Sequence, residues 1–207
     1  MKSYIHFIRH GITEGIQKKW YYGSSDIPLV EEGIVALNEF KDQGIYPVLD
    51  DADCYTSGML RANQTFHVIY GDVPFTPITE LREINFGDWE KLTYDQISEK
   101  PEHDQWMETT DGSFQFPGGG ESLVTFYERI RTGLDQLMGF HRMKELAHRH
   151  DGKDAVSIVV CHGGTISASM EHWFPGQRGN FWQWIPATGR GFTVEFENGK
   201  PVSFKDI

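Results

Sequence analysis

Apolar residues recur along this chain in two alternating rhythms. Tyr4 to Ile8 is a short, nearly unbroken apolar run that ends in Arg9, His10 and Gly11, and a run of that length reads as a buried strand. From Glu31 to Gln43, Ile34, Val35, Leu37 and Phe40 fall at helical spacings ahead of Gly44, a helix terminator. "DCYTS" predicts another short strand, and Met59 to Tyr70 a helix closed by Gly71. Leu123, Phe126, Tyr127, Ile130, Leu134 and Leu137 form the longest amphipathic pattern, extendable to Leu146. "AVSIVVC" is the clearest buried strand; Gly163-Gly164 and a further helix follow it. "GFTVEFENGKPVSF" predicts a hairpin turning at Asn198-Gly199. Strands alternating with helices predict an α/β fold with a largely parallel sheet covered on both faces. No linker or internal repeat divides the chain, so a single domain over residues 1–207 is expected.

Composition narrows the partners. Thirty acidic residues against nineteen basic ones give a formal charge of −11, which repels nucleic acid and anionic membranes. An anionic substrate would therefore have to be drawn by a few cations gathered in one pocket. No basic-then-apolar leader and no membrane-length apolar stretch is present, and a soluble, cytoplasmic protein is expected. Cys54 and Cys161 sit in apolar strand contexts and read as free core thiols.

Candidate chemistry gathers at predicted strand ends, where open α/β sheets place their ligands. The first strand ends in "RHG" and the strongest one in "CHGG", so His10 and His162 are expected at one sheet edge beside glycines that let backbone approach a ligand. "TSGMLRANQT" adds Ser57 at a turn and Arg61 in the first turn of a helix, whose amino end favours anions. Arg9 and Arg61 together suggest paired guanidinium forks suited to phosphate oxygens. A proton donor is expected in "ELREINFGDWE", among Glu80, Glu83, Asp88 and Glu90, and spacing alone leaves the choice among them open.

These blocks, with "PGGGES" and "VVCHGGTI", stand in the order found in the histidine phosphatase superfamily, and from Arg9 to Ile166 the chain resembles its phosphoglycerate-mutase-like branch. The resemblance implies a phosphoglycerate-mutase-like fold, a three-layer sandwich whose mixed, mostly parallel sheet is flanked by helices, together with a phosphomonoester substrate and no metal or other cofactor. It casts His10 as the nucleophile that becomes phosphohistidine, Arg9, Arg61 and His162 as phosphoryl-binding groups, and Glu83 as general acid. His10 would attack as neutral imidazole; His162 is expected to serve as a cation beside the phosphoryl group. "INFGDWE" after the acid and the short segment before Pro117 look like phosphatase rather than mutase members. "YYGSSDIPLVEEG" resembles the loop of small-molecule phosphatases of the α-ribazole phosphatase kind, implying substrate contacts from Tyr22 and Gly23, with Asp26 stabilising a turn. Ile16 departs from a common asparagine. The competing readings are a phosphoglycerate mutase and a non-catalytic binder of phosphorylated ligands.

Cysteine and aspartyl phosphatase arrangements fail on spacing: Leu60 and Ser167 stand where an arginine would be needed after each cysteine, and Tyr55 ends "DADCY". There is no G-x-S-x-G elbow. "HRMKELAHRH", with His141, His148 and His150, reads as a solvated helix end rather than a metal site. At least half of Trp20, Tyr21, Tyr22, Trp173, Phe174, Phe181, Trp182 and Trp184 should be core, the rest walling a leaving group. Oligomeric state, monomer or homodimer, is left open.

Overall fold

A computed structural model describes residues 2–207. Its strands are β1 (Lys2–Arg9), β2 (Trp20–Tyr21), β3 (Asp53–Thr56), β4 (Thr76–Pro77), β5 (Leu92–Thr93), β6 (Ala155–Cys161), β7 (Gly191–Glu197) and β8 (Lys200–Asp206). Its helices are α1 (Glu14–Gln17), α2 (Glu31–Asp42), α3 (Leu60–Tyr70), α4 (Tyr94–Ser98), α5 (His103–Glu108), α6 (Leu123–Ala147) and α7 (Gly163–Trp173). A six-stranded sheet runs in the order β4-β3-β6-β1-β7-β8. β4, β3, β6 and β1 are mutually parallel, while β7 pairs antiparallel with β1 and β8. The mixed, mostly parallel sheet implied by the resemblance is therefore present.

Side chains along each central strand point to opposite faces, and that alternation builds two cores. Ile8, Ile158 and Val160 pack with Leu37 of α2 and Phe66 of α3 on one face. Phe7, Val159 and Cys161 pack with Ile130 of α6 and Ile166 of α7 on the other. Both cysteines are free and buried, and burial raises their thiol pKa values, to about 11 for Cys54.

Predicted ends mostly hold. α2 stops just before Gly44 and α3 before Gly71, both with positive φ. α6 opens on a capping box between Ser122 and Thr125. Asn198 and Gly199 carry the two positive φ values that a type I′ hairpin turn needs. The solvated helix end expected for "HRMKELAHRH" is corrected: His141 and His148 are buried, whereas His150 is exposed. α6 lies against the sheet there, so His141 Nδ1 meets Ser157 Oγ of β6 at 2.9 Å and His148 Nε2 meets Asp51 at 2.9 Å.

Register aligns the strand ends that matter. Arg9 pairs with Cys161 and Thr56 with Val160, so the loops after β1, β3 and β6 leave one edge of the sheet side by side. β2 and β5 form a small separate ladder, Trp20 opposite Thr93, which ties the aromatic segment near Trp20 to the chain following Glu90.

Candidate active site

Four distant segments converge at that edge. His10 follows β1, His162 caps the start of α7, Arg61 is the second residue of α3, and Glu83 lies in the loop after a short 3₁₀ turn, Thr79–Leu81. The His10 and His162 ring centroids are 5.3 Å apart. Arg61 and His162 have no exposed surface and His10 only 3%.

Hydrogen bonds set the form of each imidazole. His10 Nδ1 lies 2.7 Å from the Gly11 carbonyl; a carbonyl only accepts, so this nitrogen carries the proton and Nε2 keeps its lone pair. His162 Nδ1 accepts from Arg61 Nε at 3.2 Å, which leaves Nε2–H to donate to Ser57 Oγ at 2.7 Å. Burial first, then the Arg61 and Arg9 charges, holds the His10 pKa well below the ordinary histidine value. The same burial, followed by Arg61, His10 and Arg9, lowers that of His162. Desolvation and the guanidinium groups of Arg61, Arg9 and Arg129 disfavour the charged form of His162; the cation expected beside a phosphoryl group depends on that group's charge to oppose them.

Arg61 is fully buried and Arg9 partly so, and neither has a carboxylate in contact. Arg61 donates to the carbonyls of Gly23 at 2.8 Å and Ser25 at 2.9 Å, and Arg9 to that of Pro186 at 2.7 Å. Among the described residues neither forms an ion pair, and Arg9 Nε is buried with no hydrogen-bond partner. Glu83 favours both charges from beyond ion-pair contact, but desolvation dominates at each, and an orphaned charged donor is costly. An anion is the species these groups lack.

Of the carboxylates that spacing could not separate, geometry singles out Glu83. Its Oε2 accepts from the Gly164 amide at 2.8 Å and its Oε1 from Ile84 N at 3.1 Å. Glu90 is occupied elsewhere, accepting from the amides of Gly23, Ser24, Ser25 and Phe86 at 2.9 to 3.1 Å. Burial would raise its pKa, but these donors outweigh burial and lower it. Asp88 is exposed, and Glu80 sits outside the aromatic cavity described below.

Tyr22 and Gly23 are placed beside the cluster, with different parts than a direct substrate contact alone. The Tyr22 ring lies 5.1 Å from the Arg61 guanidinium carbon, and its hydroxyl bonds to Thr13 at 2.6 Å. Gly23 gives its amide to Glu90 and its carbonyl to Arg61, so its backbone is committed to placing the arginine. Asp26 caps α3 by accepting from Leu60 N at 2.7 Å. Sequence reasoning missed Ser57 as partner of His162, Glu90 as organiser of the 23–25 loop, and Arg129. The last forks onto Glu121 at 2.7 Å through two nitrogens while donating to the Glu83 carbonyl at 3.2 Å. The signal for Glu90 was available only as one carboxylate among four.

A cavity of about 250 Å³ adjoins Arg9, Glu83 and Gly164. Trp20, Tyr21, Tyr22, Phe181 and Trp182 of the aromatics singled out in sequence line it, joined by Ile16. Phe174 and Trp184 are core, and Trp173 packs against it. Phe86, Trp106 and Phe116 also line the cavity, three aromatics outside the two expected loops.

With this geometry in view, comparisons with known proteins are informative. The family model of the histidine phosphatase superfamily (branch 1) matches residues 5–205. Phosphoglycerate mutase-like protein 4 of Arabidopsis thaliana is 29% identical over 180 residues, covering 83% of this chain and 71% of that protein. An adenosylcobalamin/alpha-ribazole phosphatase of Salmonella typhimurium is 26% identical over 162 residues, 77% of this chain and 74% of its own. The crystal structure of a putative alpha-ribazole-5'-P phosphatase from Escherichia coli shares the fold, with a TM-score of 0.79 at 20% identity over 98% of this chain and 94% of that one.

Proposed function

Since the chain belongs to the histidine phosphatase superfamily, whose members are phosphatases or mutases, we propose that it is a metal-independent phosphomonoesterase acting through a phosphohistidine. The observation that carries this reading is the pair of guanidinium groups, Arg61 fully buried and Arg9 partly so, that contact no carboxylate and flank two imidazoles whose charged forms are disfavoured.

In this reading the substrate phosphoryl group lies between Arg9, Arg61 and His162. His10 Nε2, its lone pair directed by the Nδ1–H bond to Gly11, attacks phosphorus. The P–N bond forms as the ester P–O bond breaks, and the Glu83 carboxyl gives its proton to the departing oxygen. Water then attacks the phosphohistidine, Glu83 takes its proton, and inorganic phosphate leaves with neutral His10 restored. The guanidinium groups act chiefly by stabilising charge that develops on the equatorial oxygens. The substrate is a small phosphorylated metabolite; an α-ribazole phosphate is one candidate, from the relatives' names.

The test is turnover of phosphomonoesters with a chelator present, together with labelling by a radioactive phosphate donor. Acid-labile label on the wild type, lost in His10→Ala along with hydrolysis, is expected. Turnover abolished by chelation, or label retained in His10→Ala, would overturn the mechanism. Interconversion of phosphoglycerates faster than hydrolysis would make the chain a mutase.

A further inference from the structure

We propose that the aromatic cavity beside Arg9 and Glu83 is the leaving-group subsite, and that it selects an uncharged apolar group of one or two rings over any leaving group bearing a second anion. The proposal rests on the phosphatase reading and specifies its substrate class. Continuity with the chemistry is the first argument. The cavity shares Arg9, Glu83 and Gly164 with the phosphoryl site, and the group protonated by Glu83 must extend from the Glu83 side.

The wall supplies the second argument. Trp20, Tyr21, Phe86, Trp106, Phe181 and Trp182 present apolar rings from separate segments, five of them held edge to face in two groups. Tyr21 lies 5.5 Å from Phe86 and 6.1 Å from Trp106, and Phe181 lies 5.3 Å from Trp182. Trp182 is 64% exposed, so core packing does not account for its position at this cavity. At about 250 Å³ the space falls just below the roughly 300 to 1,000 Å³ of pockets for drug-sized ligands, which limits the occupant to one or two rings.

Charge supplies the third. Among the described residues lining the cavity, Arg9 and Glu83 are the only ionic ones, both already assigned to the phosphoryl site. A carboxylate or second phosphate would be desolvated there without a partner, at high cost. A larger cavity that shares Glu83, about 450 Å³, offers no better home for an anion: Asp26, Glu80, Glu83 and Glu121 line it against two guanidinium groups, Arg82 and Arg129, and Arg129 is already spent on Glu121.

Esters of primary alcohols make the test, comparing kcat/KM for benzyl phosphate, ethyl phosphate and 3-phosphoglycerate hydrolysis. Benzyl phosphate is expected to exceed ethyl phosphate by roughly 10- to 100-fold, as burial of one ring allows, with 3-phosphoglycerate lowest. Trp182→Ala, at an exposed position, and Trp106→Leu should each shrink the benzyl-to-ethyl ratio. A ratio near one in the wild type, a ratio unmoved by both substitutions, or preference for 3-phosphoglycerate overturns the subsite. If no ester is turned over, the phosphatase reading fails, and calorimetry with benzylphosphonate and methylphosphonate judges the cavity separately. Tighter binding of the benzyl compound supports it; equal affinities sink it.

Discussion

Gly164 lies tight against the carboxylate opposite: a β-carbon there would press on Glu83 Oε1, so glycine lets the α7 amino terminus hold the proposed acid in this position. Gly164→Ala should displace Glu83 and reduce kcat for an alkyl phosphate by roughly 10²-fold, the low end of general-acid contributions. p-Nitrophenyl phosphate, whose leaving group needs no proton, should lose far less. Steady-state rates on the two esters decide it, and equal losses would place the damage elsewhere. Gly23 is constrained in the same manner by the Ile84 carbonyl. The "RHG" and "CHGG" blocks, Arg61 and the candidate carboxylates were all legible in sequence because their residue types announce phosphoryl chemistry at strand ends. Which carboxylate faces Gly164, and that His162 gives its Nε2 proton to Ser57, were not, since both depend on segments far apart in the chain.

Between β2 and α2, the 23–25 loop is held by a side chain rather than by regular structure. Glu90 gathers the loop amides, and the loop carbonyls in turn hold Arg61. Glu90→Gln replaces one charged acceptor oxygen with a donor facing amide N–H groups. It should weaken competitive inhibition by inorganic phosphate about tenfold and cost about 2 kcal/mol of stability, the worth of hydrogen bonds to a charged group. Inhibition kinetics and urea unfolding measure the two effects. An unchanged inhibition constant would show that the loop does not place Arg61. Long elements such as α6 and β6 were readable from apolar period alone, whereas two-residue strands such as β2, β4 and β5 hold too few positions to display one.

Acid should loosen the entire fold. Burial, the leading cause at both, lowers the pKa values of His6 and His141 to about 4; Glu145 near His141 only partly opposes it. The unfolded chain therefore binds protons near pH 6.5 that the folded chain refuses until about pH 4. Above pH 6.5 these groups leave stability unchanged, and between pH 6.5 and 4 each withdraws up to roughly 3 kcal/mol. Urea midpoints should accordingly fall across that window, and a flat profile would contradict the burial of these rings. Apolar periodicity and chemically distinctive strand ends were enough to foretell the layered α/β architecture, the helix stops at Gly44 and Gly71, and the residues that meet at the sheet edge, because those are local properties of neighbouring positions. Packing between remote segments was needed to bury His141 and His148 against β6 and Asp51, to commit Glu90 to a loop and Glu83 to Gly164, and to bring Phe86, Trp106 and Phe116 to the cavity. Such outcomes depend on which surfaces exclude water together, and no spacing along a single chain encodes that.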